Sequence, residues 1–216
     1  MSRRHGVMTL AVLGLLHESP MHGYELRKRL NSMLGAFRAF SYGTLYPCLK
    51  ELLGNGWIVE SDPVQAAPTA TATPPALSGR RARIVYQLTA EGKEHFQSLL
   101  SESGPTAWED EQFSVHFAFF ARTDAETRLR ILEGRRTRLQ ERLDGVRQSM
   151  ARTRERLDSY TLELQRHGQE SVEREVHWLE GLIEDERQAR QGTTTRGGDD
   201  DAPSARGRTA ASTEDN

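Results

Sequence analysis

The sequence predicts a mainly α chain with a small β-hairpin, followed by long helices. Three observations carry this. Apolar residues recur at helical spacing through most of the first hundred positions, a period of two replaces them at Ile84–Leu88, and an apolar heptad runs from Leu129 to Leu164. The chain has 216 residues, enough for one to two domains. Hydrophobic residues make up 36% and charged residues 28%. That balance is poor in apolar residues for a single globule and suits solvated helices or unstructured tails. The expected division is a compact unit over 1–104, a helical unit over 105–190 and a disordered tail over 191–216.

The elements follow in order. Val7–Leu16 is apolar on nearly every face, so a first helix over about 7–17 is buried on all sides. Ser19-Pro20 breaks it. A second helical pattern spans His22–Leu34, with Leu26, Leu30 and Leu34 inward and the basic run Arg27, Lys28, Arg29 on other faces. Ser41 is an N-cap for a third helix, because its hydroxyl accepts from an otherwise orphan N–H. Leu45, Leu49, Leu52 and Leu53 share one buried face of that helix, and Pro47 inside it bends the first turns. Trp57-Ile58-Val59 is a short strand, and in Arg83–Thr89 the side chains of Ile84, Tyr86 and Leu88 share one side. Residues 62–79, rich in Pro, Ala and Thr, make a long flexible tip between them. Three helices followed by a two-stranded hairpin is the outline of a winged helix-turn-helix.

The second part begins after Gly104-Pro105. Thr89 caps a fourth helix before it, Ala90 to about Glu102, with Phe96, Leu99 and Leu100 inward. Residues 106–121 read as one helix crowded with aromatics, and Asp124 caps the next. In that next helix one seam carries Leu129, Arg136, Leu143, Met150, Leu157 and Leu164, and the other carries Leu132, Leu139, Val146, Thr153 and Tyr160. Such 3.5 spacing sustained over five heptads predicts a coiled coil ending at Gly168. A final helix over about 170–190 carries Val172, Val176, Leu179 and Ile183 on one stripe. The expected homodimer interface is therefore Leu129, Leu132, Leu139, Leu143, Val146, Met150, Leu157, Val176 and Leu179.

Charge is unevenly spread. Residues 1–100 hold 11 basic and 7 acidic side chains, and residues 101–216 hold 18 and 24. A net charge of −2 excludes a polycation that coats nucleic acid, but a mildly basic first half suits local anion binding. The single cysteine, Cys48, excludes an intramolecular disulfide framework and points to a reducing compartment. Arg3 and Arg4 before the apolar run mimic a secretory leader, but His17-Glu18-Ser19-Pro20 stands where a cleavage site would be. The run is also shorter than the ~20 residues that span a bilayer, so a cytoplasmic chain with no membrane contact is expected.

Three motifs stand in order: Gly23-Tyr24-Glu25-Leu26, Gly43-Thr44-Leu45-Tyr46-Pro47, and Tyr86-Gln87-Leu88-Thr89-Ala90-Glu91-Gly92. Together they make residues 7–104 resemble the PadR family of bacterial transcription regulators. The helices beyond resemble, by layout, the family branch with a large helical dimerisation domain. The resemblance implies a sequence-specific DNA-binding regulator, a repressor, acting as a homodimer on a palindromic operator. Physical chemistry points the same way. A recognition helix needs small and hydrogen-bonding groups where it enters the major groove, and Ser41, Tyr42, Gly43, Thr44 and Tyr46 supply them. Lys50, two turns on, is in reach of the phosphate backbone, and Tyr24 begins the helix that crosses it. Arg80, Arg81 and Arg83 stand on the wing, where arginines suit a narrow minor groove. Ser41 as a plain cap and Tyr46 as plain core remain open alternatives.

Trp108, Phe113, His116, Phe117 and Phe120 have two readings, a pocket for a small aromatic or drug-like effector or simply the core between the two units. The histidines show no metal-ligand spacing, and no nucleophile with a base, phosphate loop or carboxylate pair stands out, so no metal, cofactor or catalytic residue is assigned. Two rival functions stay open: a coiled-coil adaptor without specific DNA binding, and a small-molecule sensor or enzyme built on the aromatic helix.

Overall fold

The computed structural model describes residues 3–35, 42–61, 84–153 and 158–196. The expectations for Ser41, Arg80, Arg81, Arg83 and Leu157, for the hairpin tip and for the tail after 196 concern residues outside these. Among the described residues the α-helices and β-strands follow in this order: α1 (Arg3–Glu18), β1 (Met21–His22), α2 (Gly23–Leu34), α3 (Tyr42–Gly54), β2 (Ile58–Ser61), β3 (Val85–Leu88), α4 (Ala90–Ser101), α5 (Asp110–Ala118), α6 (Ala125–Thr153) and α7 (Ser159–Arg196).

Helix α1 is the centre of the first unit. Val7, Leu10, Ala11, Val12, Leu13, Leu15 and Leu16 are all buried, and α2, α3, α4, α5 and β3 pack around them. A helix apolar all round has no face to give to water, so it organises the rest. Leu26, Leu30 and Leu34 of α2, Leu45, Leu49 and Leu52 of α3, and Phe96 and Leu100 of α4 close the core. The Thr89 hydroxyl accepts from the Gly92 N–H at 3.0 Å, capping α4.

Among the described residues the sheet has three strands rather than two, in the order β1-β3-β2, all antiparallel. Met21 faces Tyr86 and His22 faces Val85, while Ile58 pairs with Leu88 and Ser61 with Val85. The His22 Nδ1–H donates to the Ile84 carbonyl at 3.0 Å and ties the short strand down. Two residues are too few to show a period, which is why His22 reads as helix in the sequence.

The aromatic run is not one helix. Pro105–Trp108 forms a 3-10 turn, α5 follows after an extended Glu109 (ψ 152°), and Phe120–Arg122 forms a second 3-10 turn. Proline favours the first position of a helical turn, so it starts a new one here. The Thr127 N–H donates to Asp124 Oδ1 at 2.8 Å, which starts α6.

The heptad does not form one continuous helix. α6 ends at Thr153 and α7 starts at Ser159, where the Asp158 carboxylate accepts from the Tyr160 and Thr161 N–H groups at 2.9 and 3.0 Å. Helix α7 folds back antiparallel onto α6, as the Arg128–Glu186 and Arg147–Glu173 pairs require. It runs through Gly168, which was expected to stop it, and continues to Arg196, past the expected end near 190. Glycine costs about 1 kcal/mol inside a helix, and packing against α6 outweighs that. The seam is thus spent largely within one chain: Leu129, Leu132 and Leu139 pack with Val176, Leu179 and Ile183, and Leu143 is buried as well. Val146 and Met150 are half-buried, while Tyr160 and Leu164 are 87% and 70% exposed.

Candidate nucleic-acid interface

Helix α3 sorts its residues cleanly into two faces. Leu45, Cys48, Leu49 and Leu52 point into the core, and Gly43, Thr44, Pro47 and Lys50 are exposed. Gly43, Pro47 and Lys50 stand at i, i+4 and i+7, with Thr44 beside Gly43, so the outward set forms one stripe along the helix. Pro47 leaves the Gly43 carbonyl without its usual helical donor on this open side. Tyr42 is the first residue of α3. Tyr46 lies between the faces, half-buried against the core. A Cβ on Gly23 would come within 3.3 Å of its hydroxyl, so glycine lets α2 begin close against α3. Tyr24, the next residue, is 64% exposed, so its ring does not serve the core.

Around this stripe the cations are differently engaged. Arg29 stands 3.5 Å from both Glu18 and Glu25, while Lys28 and Lys50 make no ion pair among the described residues. The start of any helix favours anions, and Lys50, further along α3, adds an ammonium group without an ion pair among the described residues, so the two together suit phosphate. Cys48 is 1% exposed with the Thr9 hydroxyl 3.9 Å from its sulfur, and burial pushes its thiol pKa up to about 11. A thiol held protonated is not a reactive thiolate.

The aromatic residues divide. Phe113 and Phe117 line a groove of about 790 Å³ between α5, α6 and α7, and Trp178 of α7 completes its wall. The Phe117 and Trp178 rings meet at 5.2 Å and 61°, and Phe113 and Phe117 at 5.8 Å and 30°. Arg135, 7% exposed, closes the floor: it donates to Glu175 at 2.7 Å, to the Trp108 carbonyl at 3.1 Å and to Asp110 at 2.5 Å, and lies 5.2 Å over the Phe113 ring. Arg142 also lines the groove and has no hydrogen bond or ion pair among the described residues. Trp108, His116 and Phe120 do not line it. Trp108 lies on α6 at Gly134, and Phe120 packs on Phe117 at 5.0 Å. His116 is 3% exposed, its Nδ1 has no partner, and burial lowers its pKa to about 4. It is neutral at pH 7. Trp178 escapes the sequence reading because it lies off the Val176–Leu179–Ile183 stripe. A tryptophan on an otherwise polar helix face was the available signal. The Arg135–Glu175 pair joins residues forty positions apart and leaves no local pattern. Among the described residues no helix is long and apolar enough to cross a membrane.

Residues 12–98 match the profile of the Transcriptional regulator PadR-like family. The negative transcriptional regulator PadR of Bacillus subtilis is 26% identical over 99 residues, which is 46% of this chain and 48% of the relative. The match thus spans about half the length of that relative. Two crystal structures of Bacillus subtilis PadR are also similar. The one in complex with operator DNA is 20% identical, covering 83% of this chain and 99% of that one at a TM-score of 0.37. The one in complex with p-coumaric acid is 19% identical, covering 84% and 99% at a TM-score of 0.37.

Proposed function

We propose that this chain, which belongs to the PadR-like family of transcriptional regulators through its residues 12–98, represses transcription by binding a palindromic operator as a cytoplasmic homodimer. The observation that carries the proposal is the exposed stripe of α3, Gly43, Thr44, Pro47 and Lys50, set beside exposed Tyr24 on a fully packed core. Thr44, with Ser41 and Tyr42, is assigned to base edges. Tyr24, Lys50 and the wing residues Arg80, Arg81 and Arg83 are assigned to phosphates and the minor groove. Repression follows the role of the Bacillus subtilis relative, a negative transcriptional regulator. A single winged unit makes few phosphate contacts, so two copies on a two-fold site supply the affinity. Since Leu129, Leu132, Leu139, Leu143, Val176 and Leu179 are spent within the chain, the contact between copies is assigned to the open end of the α6–α7 pair, Val146, Met150, Tyr160 and Leu164 with Leu157. The groove lined by Phe113, Phe117 and Trp178 is assigned to a small aromatic or drug-like effector. No catalytic residue enters the proposal.

The test is a salt titration on the duplex upstream of the chain's own gene and on a scrambled duplex. Lys50→Ala should weaken both and flatten the salt dependence by about 0.9 log units for one lost phosphate contact. Thr44→Ala should cost roughly 1–3 kcal/mol on the operator and little on the scrambled duplex. Equal losses on both duplexes for Thr44→Ala would remove α3 as the reader of sequence.

A further inference from the structure

Two aromatic side chains pin the segment that joins the two units. A Cβ on Gly14 of α1 would come within 2.2 Å of the Phe119 ring. A Cβ on Gly134 of α6 would come within 2.3 Å of the Trp108 ring. Each ring therefore lies directly on a helix backbone, in a socket that only glycine leaves open. The sockets stand at opposite ends of the segment, one on each unit.

Between them, α5 gives one face to each core. Val115, with Phe119 just beyond the helix, belongs to the core around α1. Phe113 and Phe117 belong to the core between α6 and α7, and both line the groove. On the α1 side further contacts lead onward. Phe96 of α4 meets Phe119 edge-on at 5.7 Å, and Arg122 donates to His17 Nδ1 at 3.0 Å. Thr9 of α1 touches Cys48 of α3. A nine-residue helix locked at both ends cannot shift against one core without shifting against the other, because close-packed interiors do not deform freely. The unpartnered Nδ1 of His116, buried in the last turn of α5, shows that this seat leaves one polar atom unsatisfied.

We propose that α5 is the coupling element between the groove and the DNA-binding face: occupancy read by Phe113 and Phe117 reaches α1, and through it α3, by way of the Phe119–Gly14 socket, with Trp108–Gly134 as the anchor on the other unit. This rests on the effector reading above and adds its route.

The experiment fills the groove with a tethered ring, so no natural effector is needed. Ser171→Cys, on the exposed side of the groove, is labelled with pyrenyl maleimide; Cys48 is buried and stays unlabelled. DNA affinity is compared with and without label on the upstream duplex, in Ser171→Cys alone and combined with Phe119→Leu or Trp108→Phe. Circular dichroism checks folding, and the two socket variants act on different units, so each stands in if the other fails to fold. The label should change affinity at least fivefold in the single variant, within the usual range of coupling between sites. In either combination the change should fall below twofold. An equal shift in all three overturns the α5 route and leaves the groove as an effector site. No shift in the single variant overturns the effector reading and this proposal with it. Absence of DNA binding by the unlabelled chain overturns the DNA-binding reading itself.

Discussion

The unit around α1 and the α6–α7 pair bury apolar side chains by different rules. α1 is apolar on every side, and four helices and a strand have to surround it. Each of α6 and α7 has a single apolar stripe, and the rest of the contact is arginine and glutamate. Arg128 holds Glu186 through two bonds of 2.7 Å, and Arg187 holds Glu133 at 2.7 Å. An all-round apolar helix admits few arrangements of its neighbours. A stripe only says that some helix must cover it, and a partner copy or the chain's own next helix satisfies it equally.

The largest expected effects measure how tightly each unit packs. Leu26 in the first and Leu179 in the second are both fully buried. Leu26→Ala and Leu179→Ala should each cost about 2–5 kcal/mol in urea unfolding followed by circular dichroism. A Leu179→Ala cost below about 1 kcal/mol would show that the two-helix unit closes up around a missing side chain, and would widen the contrast.

The same contrast explains what was legible in the sequence. The helices of the first unit, the Thr89 cap, both hairpin strands and the outward face of α3 follow from spacing, because each has one place to go. Strand β1 does not, because two residues carry no period. The heptad concealed the start of a new helix at Ser159. Asp158-Ser159 is a sound helix start, but unbroken 3.5 spacing across it suggests one long helix. In the groove, Phe113 and Phe117 were legible as aromatics at helical spacing. Arg135, Glu175 and Trp178 were not, because only the fold-back of α7 brings them to α5.

His116 sharpens the comparison at the junction of the units. Burial holds its pKa near 4 in the folded chain, against an ordinary value of 6.5. Above pH 6.5 both folded and unfolded chains hold it neutral, and nothing is lost. As pH falls from 6.5 towards 4, the unfolded chain takes the proton first, and stability falls by roughly 3 kcal/mol in all. His116→Leu should flatten that part of the pH–stability curve relative to the parent. His17 and His95, lowered in the same direction by burial, remain in both proteins and cancel in the difference. Parallel curves for parent and variant would show that His116 is not held neutral.

The caps of α6 and α7 give a smaller effect. Hydrogen bonds from Thr127, the backbone N–H foremost, hold the Asp124 carboxyl below the usual carboxylate range. Asp124→Ala should cost about 1 kcal/mol at pH 7, a fall in Tm of roughly 2–4 °C. A lowered carboxylate pKa stabilises the fold above the ordinary value and loses that as pH falls through the folded one. The gap between parent and variant should therefore close in acid. Asp158→Ala, at the exposed start of α7, should shift Tm less. The reverse order would make the open end of the pair the more firmly built one.

The smallest effect on the single chain belongs to Tyr160 and Leu164, and it decides what the leftover stripe is for. Both are seam residues by spacing, yet neither is covered within the chain. Exposed side chains away from special features change stability by no more than about 0.5 kcal/mol when replaced. Tyr160→Ser with Leu164→Ser should therefore leave urea unfolding of the dilute chain almost unchanged. If these two side chains meet a second copy, the same variant should lower the mass seen by light scattering at micromolar concentration and weaken operator binding. It should leave the weaker binding to scrambled DNA in place, because that binding needs only one winged unit. Leu143→Arg is the contrasting variant. Leu143 is buried within the chain, so a charge there should unfold the α6–α7 pair itself. A Tyr160→Ser, Leu164→Ser protein that remains a dimer would move the contact between copies off this end of the pair. Trp178, 43% exposed, would then be the next residue to vary.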